Sequence, residues 1–370
     1  MLQLTKITQN LHPPLGRLLI AGSILLFGDH ALVWRLPSFL CGFGVLAMTF
    51  LLASKLFRSH HIGLLAAGIL SVETLSFTQS RIAMFNAVFV FLSLLSAYVF
   101  LKHVLWGEWP RKASFLISGI FFGLAMGTKW MAFGIFLALL PIWFVYSQNI
   151  PEKKILIKDT LFCFLLPAVL TYFCTFIIIL FIRGYEPLAI LKFQLHMLVG
   201  HWITTVAEHP DPSEWWTWPL TLHPVLYFFS EKAYVSIRAH HKIQSIYAVG
   251  NLPFFWGAVV FIYFMVRRYI RERRAAFLFV LAGYFGFWLQ WAFLHRVKFL
   301  HYYYPALPFL AMAAAYFIHA SWQQHKSFRI PVVLYVLSIV AFFIYWYPLL
   351  NGTEVSGAYF KQHLWLPLWK

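Results

Sequence analysis

Charge is what this sequence has least of. Only 11% of its 370 residues are Asp, Glu, Lys or Arg, against roughly a quarter in ordinary soluble chains. Carboxylates are scarcest: 12 of them face 29 Lys and Arg, a formal net charge of +17. Cysteine is nearly absent too. Cys41, Cys163 and Cys174 all lie in apolar runs, which excludes a disulfide framework or a zinc-ligand spacing. What fills the chain instead is apolar: 61% hydrophobic residues, with 40 Phe, 18 Tyr and 16 Trp. No water-soluble fold of this size hides so much apolar surface, so the composition defines an all-α polytopic membrane protein.

A membrane span needs about 20 apolar residues, and about ten segments qualify. They are 36–56, 62–77, 87–100, two within 115–146, 160–182, 252–266, 276–293, 302–318 and 331–347. The basic residues sort themselves between these spans. With Lys55 and Arg58 placed in the cytoplasm, four further clusters fall on the same side by counting: Lys102/Arg111/Lys112, Lys153/Lys154/Lys158, Arg267 to Arg274, and Lys326/Arg329. That pattern satisfies the positive-inside rule, so the excess of Lys and Arg orients the chain and meets lipid headgroups, and no nucleic-acid partner is expected. Residues 183–250 and the tail 351–370 then lie outside, giving a transmembrane domain over 1–350 and an outer tail.

The same counting puts the residues before Leu36 outside, although Met1–Asn10 is too polar to carry them across. Leu15–Phe27 is apolar but short, suited to lying along the interface. The expectation is that a preceding span is missing from this sequence.

Charges beside spans are costly and usually functional. Glu73, Arg81, Lys129, Arg296 and Lys298 all fall at outer span ends, whereas a transporter would place such groups at the midplane. The pattern reads as a lipid-headgroup site open to the outside. Glu73 and Arg81, eight residues apart, face similar directions if one helix continues through them. Arg81 then either forks onto a phosphate or pairs with Glu73. Lys129, in GLAMGTKW, is either a point charge at a break between spans or a snorkelling lysine. In the outer segment, His196, His201, His209, Asp211 and Glu214 have no recognised metal spacing. The run Trp215-Trp216-Thr217-Trp218 suits either an interfacial belt or a platform for sugar rings.

Collinear motifs carry a resemblance over nearly the whole chain. HPPLGRLLIA (His12–Ala21), WRLPSFLCG (Trp34–Gly42), TQSRIAMFN (Thr78–Asn86) and GLAMGTKW (Gly123–Trp130) come first. His196 with EWWTWPL (Glu214–Leu220), then FLHYYYPALPFLA (Phe299–Ala311), follow. The set resembles the phospholipid-carrier-dependent, protein O-mannosyltransferase-like glycosyltransferases of the GT-C class. The resemblance implies a GT-C-like bundle with outer-face interfacial helices. It implies inverting transfer of a sugar, typically mannose, from a polyprenyl or dolichyl phosphate to a protein Ser/Thr hydroxyl outside the cytoplasm. The membrane implied is a prokaryotic plasma membrane or the endoplasmic reticulum. Arg81, Lys129, Arg296 and Lys298 are the implied holders of the lipid phosphate, and Glu73 matches an acidic position of the family. His12, Arg35, His196, Trp215, Trp218 and His301 are the implied substrate contacts. The partners implied are membrane lipid, the lipid-linked donor and a protein acceptor, with a homo- or heterodimer as the assembly. No metal ligand set is implied, and a divalent ion's involvement is left open.

Two departures stand out. The family's Asp-Glu pair, expected before the His-Pro-Pro element, has no counterpart in residues 1–11, and the family aspartate closing the RIAM element is Asn86. An amide neither takes a proton as a base nor carries the charge. The alternatives to an active mannosyltransferase are a truncated or non-catalytic partner subunit and a lipid-directed, aminoarabinose-type transferase; a transporter or flippase ranks lower.

Overall fold

In the computed structural model the described residues are 11–184, 186–203, 211–233 and 241–369. Met1–Asn10 and His209, both considered above, lie outside them. A chain in lipid must satisfy its backbone internally, and helices do so within one segment. The first half forms α1 (Leu15–Phe27), α2 (Ala31–Phe57), α3 (His60–Ser71), α4 (Thr74–Arg81), α5 (Asn86–Val104), α6 (Arg111–Thr128) and α7 (Phe133–Gln148). Next, α8 (Lys153–Asp159) runs through a π-helical turn at Thr160–Leu165 into α9 (Leu166–Arg183), and α10 (Ala189–Ile203) follows. A hairpin of β1 (Val225–Ala233) and β2 (His241–Ala248) leads to α11 (Leu252–Trp256), α12 (Ala258–Glu272) and α13 (Ala275–Leu289). The chain closes with α14 (Leu307–Gln324), α15 (Arg329–Asn351), the short strand β3 (Val355–Ser356) and α16 (Gly357–Gln362).

Among the described residues, seven helices are long and apolar enough to cross a membrane, or eight if the bent pair α3–α4 is one span. The expected count of about ten is therefore not reached. The two that fall short are α6 and α14, each 18 residues long. Arg111 and Lys112 open α6, and Gln323 and Gln324 close α14, so polar ends dilute each helix. Their middles remain deep in the bundle, and Leu307–Ala315 of α14 is buried throughout.

Close helix packing explains the glycines of α6. Gly119, Gly123 and Gly127 recur every fourth residue, and a Cβ on them would collide with Phe164 O, Ala168 O and the Thr175 side chain in turn. In lipid, where apolar burial drives little association, such small-residue stripes let backbones approach closely. Gly123→Leu is expected to drive α6 from α9 and cost about 3 kcal/mol or more; thermal unfolding of the detergent-purified protein measures it.

The bend between α3 and α4 is 70°, and it corrects the expectation that one helix continues through Glu73. The Glu73 carboxylate caps α4, accepting from Leu75 N at 3.0 Å and Ser76 N at 2.6 Å. It also accepts from Asn251 N at 3.2 Å, tying the break to the start of α11. Thr74 and Thr78 donate to Val249 O and Tyr247 O, so α4 docks on the end of β2. Glu73 is fully buried and makes no ion pair with Arg81.

The segment read as an outer loop contributes two strands to a three-stranded sheet, ordered β1-β2-β3. Its period of two was present in the sequence: Ile243, Ser245 and Tyr247 are buried while Lys242 is exposed. The tail supplies β3, with Lys242 opposite Ser356. Trp369 near the chain end packs on Trp346 at 5.4 Å and donates to Thr221 O at 3.0 Å. The segment carrying β1 and β2 and the tail thus pack together.

Candidate active site

One cavity of about 840 Å³ gathers chemistry from distant parts of the chain. Its polar end is formed by His12 ahead of α1, Lys129 between α6 and α7, His201 on α10, and Arg296 after α13. The remainder is apolar and aromatic, including Phe133, Leu137, Phe285 and Leu289. No Asp or Glu is among its described lining residues.

Each cation is held by neutral groups. Lys129 ends α6, whose successor begins with the 3-10 turn Trp130–Ala132. Its Nζ donates to Asn86 Oδ1 at 2.8 Å and lies 5.0 Å from the centre of the Tyr302 ring. Arg296 donates through Nη2 to Tyr302 OH at 3.2 Å and through Nη1 to His201 Nδ1. Tyr302 is in turn fixed by stacking on Trp291, with ring centres 4.2 Å apart. The ring that bears on both cations is therefore rigid, which suits it for cation–π support.

The two histidines are neutral at physiological pH. Burial, and then the field of Lys129, His201, Arg296 and Arg17, holds His12 well below its ordinary value. Burial, then the Arg296 guanidinium, lowers His201 to about 4. Accepting from Arg296 at Nδ1 leaves the His201 proton on Nε2, and the backbone of Leu11 also engages the ring. Arg17 secures His12 by donating to its carbonyl at 2.6 Å. Nδ1 of His12 is buried without a partner among the described residues.

The residues singled out in the sequence divide among several places. His12, Lys129 and Arg296 line this cavity, and Asn86 holds the lysine. Arg81 and Arg35 line a second, separate cavity of about 520 Å³ between α2, α3 and α4. There Arg81 donates to Leu350 O at 3.2 Å and lies over the Phe77 ring. The grouping of Arg81 with Lys129 is thus not what the fold makes, because the α3–α4 bend turns α4 toward α2 and α15. Lys298 pairs with Glu214 at 3.0 Å and does not line the first cavity. Trp218 is buried against Trp291, Tyr302 and Tyr303 and donates to Ser213 Oγ at 2.9 Å. Trp215 packs on Trp288, whose indole donates to the Trp215 carbonyl at 2.9 Å. His301 stacks on Phe299 and is largely buried, and His196 stands on α10. Neither tryptophan nor His301 or His196 is among the cavity's lining residues.

Sequence reading did not assign roles to His201 and Tyr302, or to Trp291 and Gln79. Only the fold brings α10 over the break between α6 and α7, so no spacing pointed to His201. Tyr302 stood inside the FLHYYYPALPFLA motif, where nothing separated it from its two neighbouring tyrosines. Among the described residues no three His, Cys, Asp or Glu side chains assemble as a metal site.

The helical bundle holds an apolar cavity ending in cations, and the family matches place it among the membrane glycosyltransferases. Residues 28–182 match the family model described as dolichyl-phosphate-mannose-protein mannosyltransferase. Residues 188–369 match the C-terminal four TMM region of protein-O-mannosyltransferase. The chain belongs to the protein O-mannosyltransferase family. It is 24% identical over 432 residues to the polyprenol-phosphate-mannose–protein mannosyltransferase of Mycolicibacterium smegmatis, covering 97% of this chain and 82% of that relative. Its fold is similar to the S. cerevisiae protein O-mannosyltransferase Pmt1-Pmt2 complex bound to the sugar donor. That likeness has a TM-score of 0.80 at 13% identity and covers 98% of this chain and 86% of that one. ArnT from Cupriavidus metallidurans bound to undecaprenyl phosphate is a further likeness, with a TM-score of 0.59 at 12% identity over 90% of this chain and 60% of that one. At such identities the structural likenesses establish the fold alone.

Proposed function

We propose that the chain transfers mannose from a polyprenyl-phosphate donor to a Ser or Thr hydroxyl of a protein at the extracytoplasmic face of a membrane. The observation that carries this reading is the charge of the larger cavity: a lysine and an arginine, no described carboxylate, and an apolar slot continuing from them. That is the complement of a lipid phosphate, an anion attached to a hydrocarbon chain. The names of the curated relatives point the same way.

The chemistry follows from the same groups. The acceptor hydroxyl oxygen attacks the anomeric carbon from the face opposite the phosphate, losing its proton to solvent water, and the C–O bond to phosphate breaks. Its electron pair stays on the departing phosphate oxygen, where Lys129 and Arg296 stabilise the growing charge. His12 and His201, being neutral, are left as hydrogen-bonding groups for the headgroup. Asn86 orients Lys129. Glu73 has its oxygens committed to backbone donors, and we assign it to the fold. The second cavity, with Arg35 and Arg81, is kept apart from this step.

Purified protein supplied with radiolabelled polyprenyl-phosphate mannose and a Ser/Thr peptide tests the reading. Label is expected in the peptide, and its absence from peptide with retention in lipid would sink it. We further propose pairing with a second copy or a homologous chain, on the likeness to the two-chain S. cerevisiae complex. The particle mass of the same preparation, by light scattering, checks this; a lone chain overturns it.

A further inference from the structure

Asn86 stands where the cavity's charge is decided. Its Oδ1 accepts from Lys129 Nζ at 2.8 Å, and its Nδ2 donates to Gln79 Oε1 at 2.6 Å. Gln79 Nε2 donates onward to Tyr227 OH on β1 at 2.8 Å. The ammonium has only donors to offer, so the amide oxygen must face it and every amide along the chain is thereby oriented. Lys129 is held by a dipole and by the Tyr302 and Phe89 rings, and among the described residues no opposite charge pairs with it. The charged group acting on it is Arg296, of the same sign. At 4% exposure it has little water to compensate. A buried ammonium without a counter-charge is unfavourable, and an entering anion relieves that cost.

The two lipids of the proposed cycle differ in how much they gain here. A polyprenyl-phosphate sugar is a diester with one ionisable oxygen. The polyprenyl phosphate left behind is a monoester, which carries a charge of about −1.5 to −2 at neutral pH. A cavity whose cations are un-neutralised therefore favours the spent lipid over the donor.

We propose that Asn86 is a positioning residue that orients Lys129 without neutralising it, so that the cavity retains the spent polyprenyl phosphate as its resting state. This rests on the larger cavity being the donor site. A carboxylate at this position would keep the acceptor for Lys129 while cancelling its charge. The remaining chain tolerates the change: Gln79 rotates its amide to donate to the new oxygen, and the Tyr227 hydroxyl donates to Gln79 in return.

The test uses the full chain in phosphatidylcholine nanodiscs with undecaprenyl phosphate as probe. Asn86→Asp is expected to bind it at least about tenfold more weakly than wild type, with KM for donor rising by a smaller factor because the diester carries less charge, and with kcat lowered because the same charge stabilises the departing phosphate. Asn86→Ala, which loses the tether but keeps the charge, is expected to bind about threefold more weakly than wild type, the worth of one hydrogen bond. If Asn86→Asp binds as tightly as wild type, the residue only props the lysine and the proposal fails. It fails equally if Asn86→Ala is weakened as much as Asn86→Asp. Should wild type and Lys129→Met bind the probe alike, the donor-site reading itself is what falls.

Discussion

Lys129→Met is expected to cut kcat/KM about a thousandfold while leaving the protein as stable as wild type or more so. The first half follows from electrostatics. A unit charge about 4 Å from a phosphate contributes on the order of 4 kcal/mol at the effective dielectric of a partly buried site, close to three decades in rate. The second half follows from the lysine's surroundings. Its ammonium lies among Asn86, Tyr302 and Phe89 with no acidic partner among the described residues, so the resting fold gains little from the charge. Methionine fills a similar volume without it. Activity and stability should thus move in opposite directions, which a merely structural lysine would not produce. Lys298→Met is the internal control. That lysine was grouped with Lys129 in the sequence, but its largely buried side chain pairs with the exposed carboxylate of Glu214, and a pair open to water through its carboxylate contributes about 1 kcal/mol. Its turnover should stay within about fivefold of wild type. Transfer assays and thermal unfolding on the three proteins decide the matter; a Lys129→Met protein with wild-type turnover would remove the phosphate assignment.

The sequence exposed the bundle far better than the site, and the reason is physical. Span-forming helices are written in runs of apolar residues, so segments such as 87–100 and 331–347 were recognisable without partners. Helices inside the bundle are written differently. The stripe of Gly119, Gly123 and Gly127 and the buried Ala311–Ala315 run of α14 trade hydropathy for close approach. Their polar ends, Arg111/Lys112 and Gln323/Gln324, are why α6 and α14 looked like spans by position yet are too dilute in apolar residues to count as such. The three-stranded sheet was hidden because β2 carries its alternation with serine and tyrosine on the buried face. For the site, chain order was a poor guide to company. Glu73 and Arg81 are close in sequence, but the break before Thr74 commits one to a cap and turns the other to a different cavity. Lys129 and Arg296 are far apart in sequence, yet one tyrosine ring, Tyr302, bears on both.

Glu73→Ala is expected to destabilise the protein by at least about 3 kcal/mol, because three buried backbone donors lose their acceptor and each such loss costs about 1–3 kcal/mol. Those donors are Leu75 N, Ser76 N and Asn251 N. Two of them start α4 and the third starts α11, so the damage falls on the junction that sets the 70° bend. Asn251 has its own bonds to Val72 O and Ile339 O, which hold α11 and α15 in place but supply nothing to α4. Glu73→Gln retains one acceptor oxygen and should recover a large part of the loss. The pair separates two roles that an acidic residue in a transferase can have. As a base, Glu73 would lose turnover in the glutamine variant with the fold intact. As a cap, it would lose the fold in the alanine variant, and the glutamine variant would keep its turnover per folded molecule. The structure commits both carboxylate oxygens to the cap, so the second pattern is expected. Unfolding followed by intrinsic fluorescence, with transfer normalised to folded protein, reads both. A well-folded, inactive Glu73→Gln would overturn the assignment and return Glu73 to the chemistry.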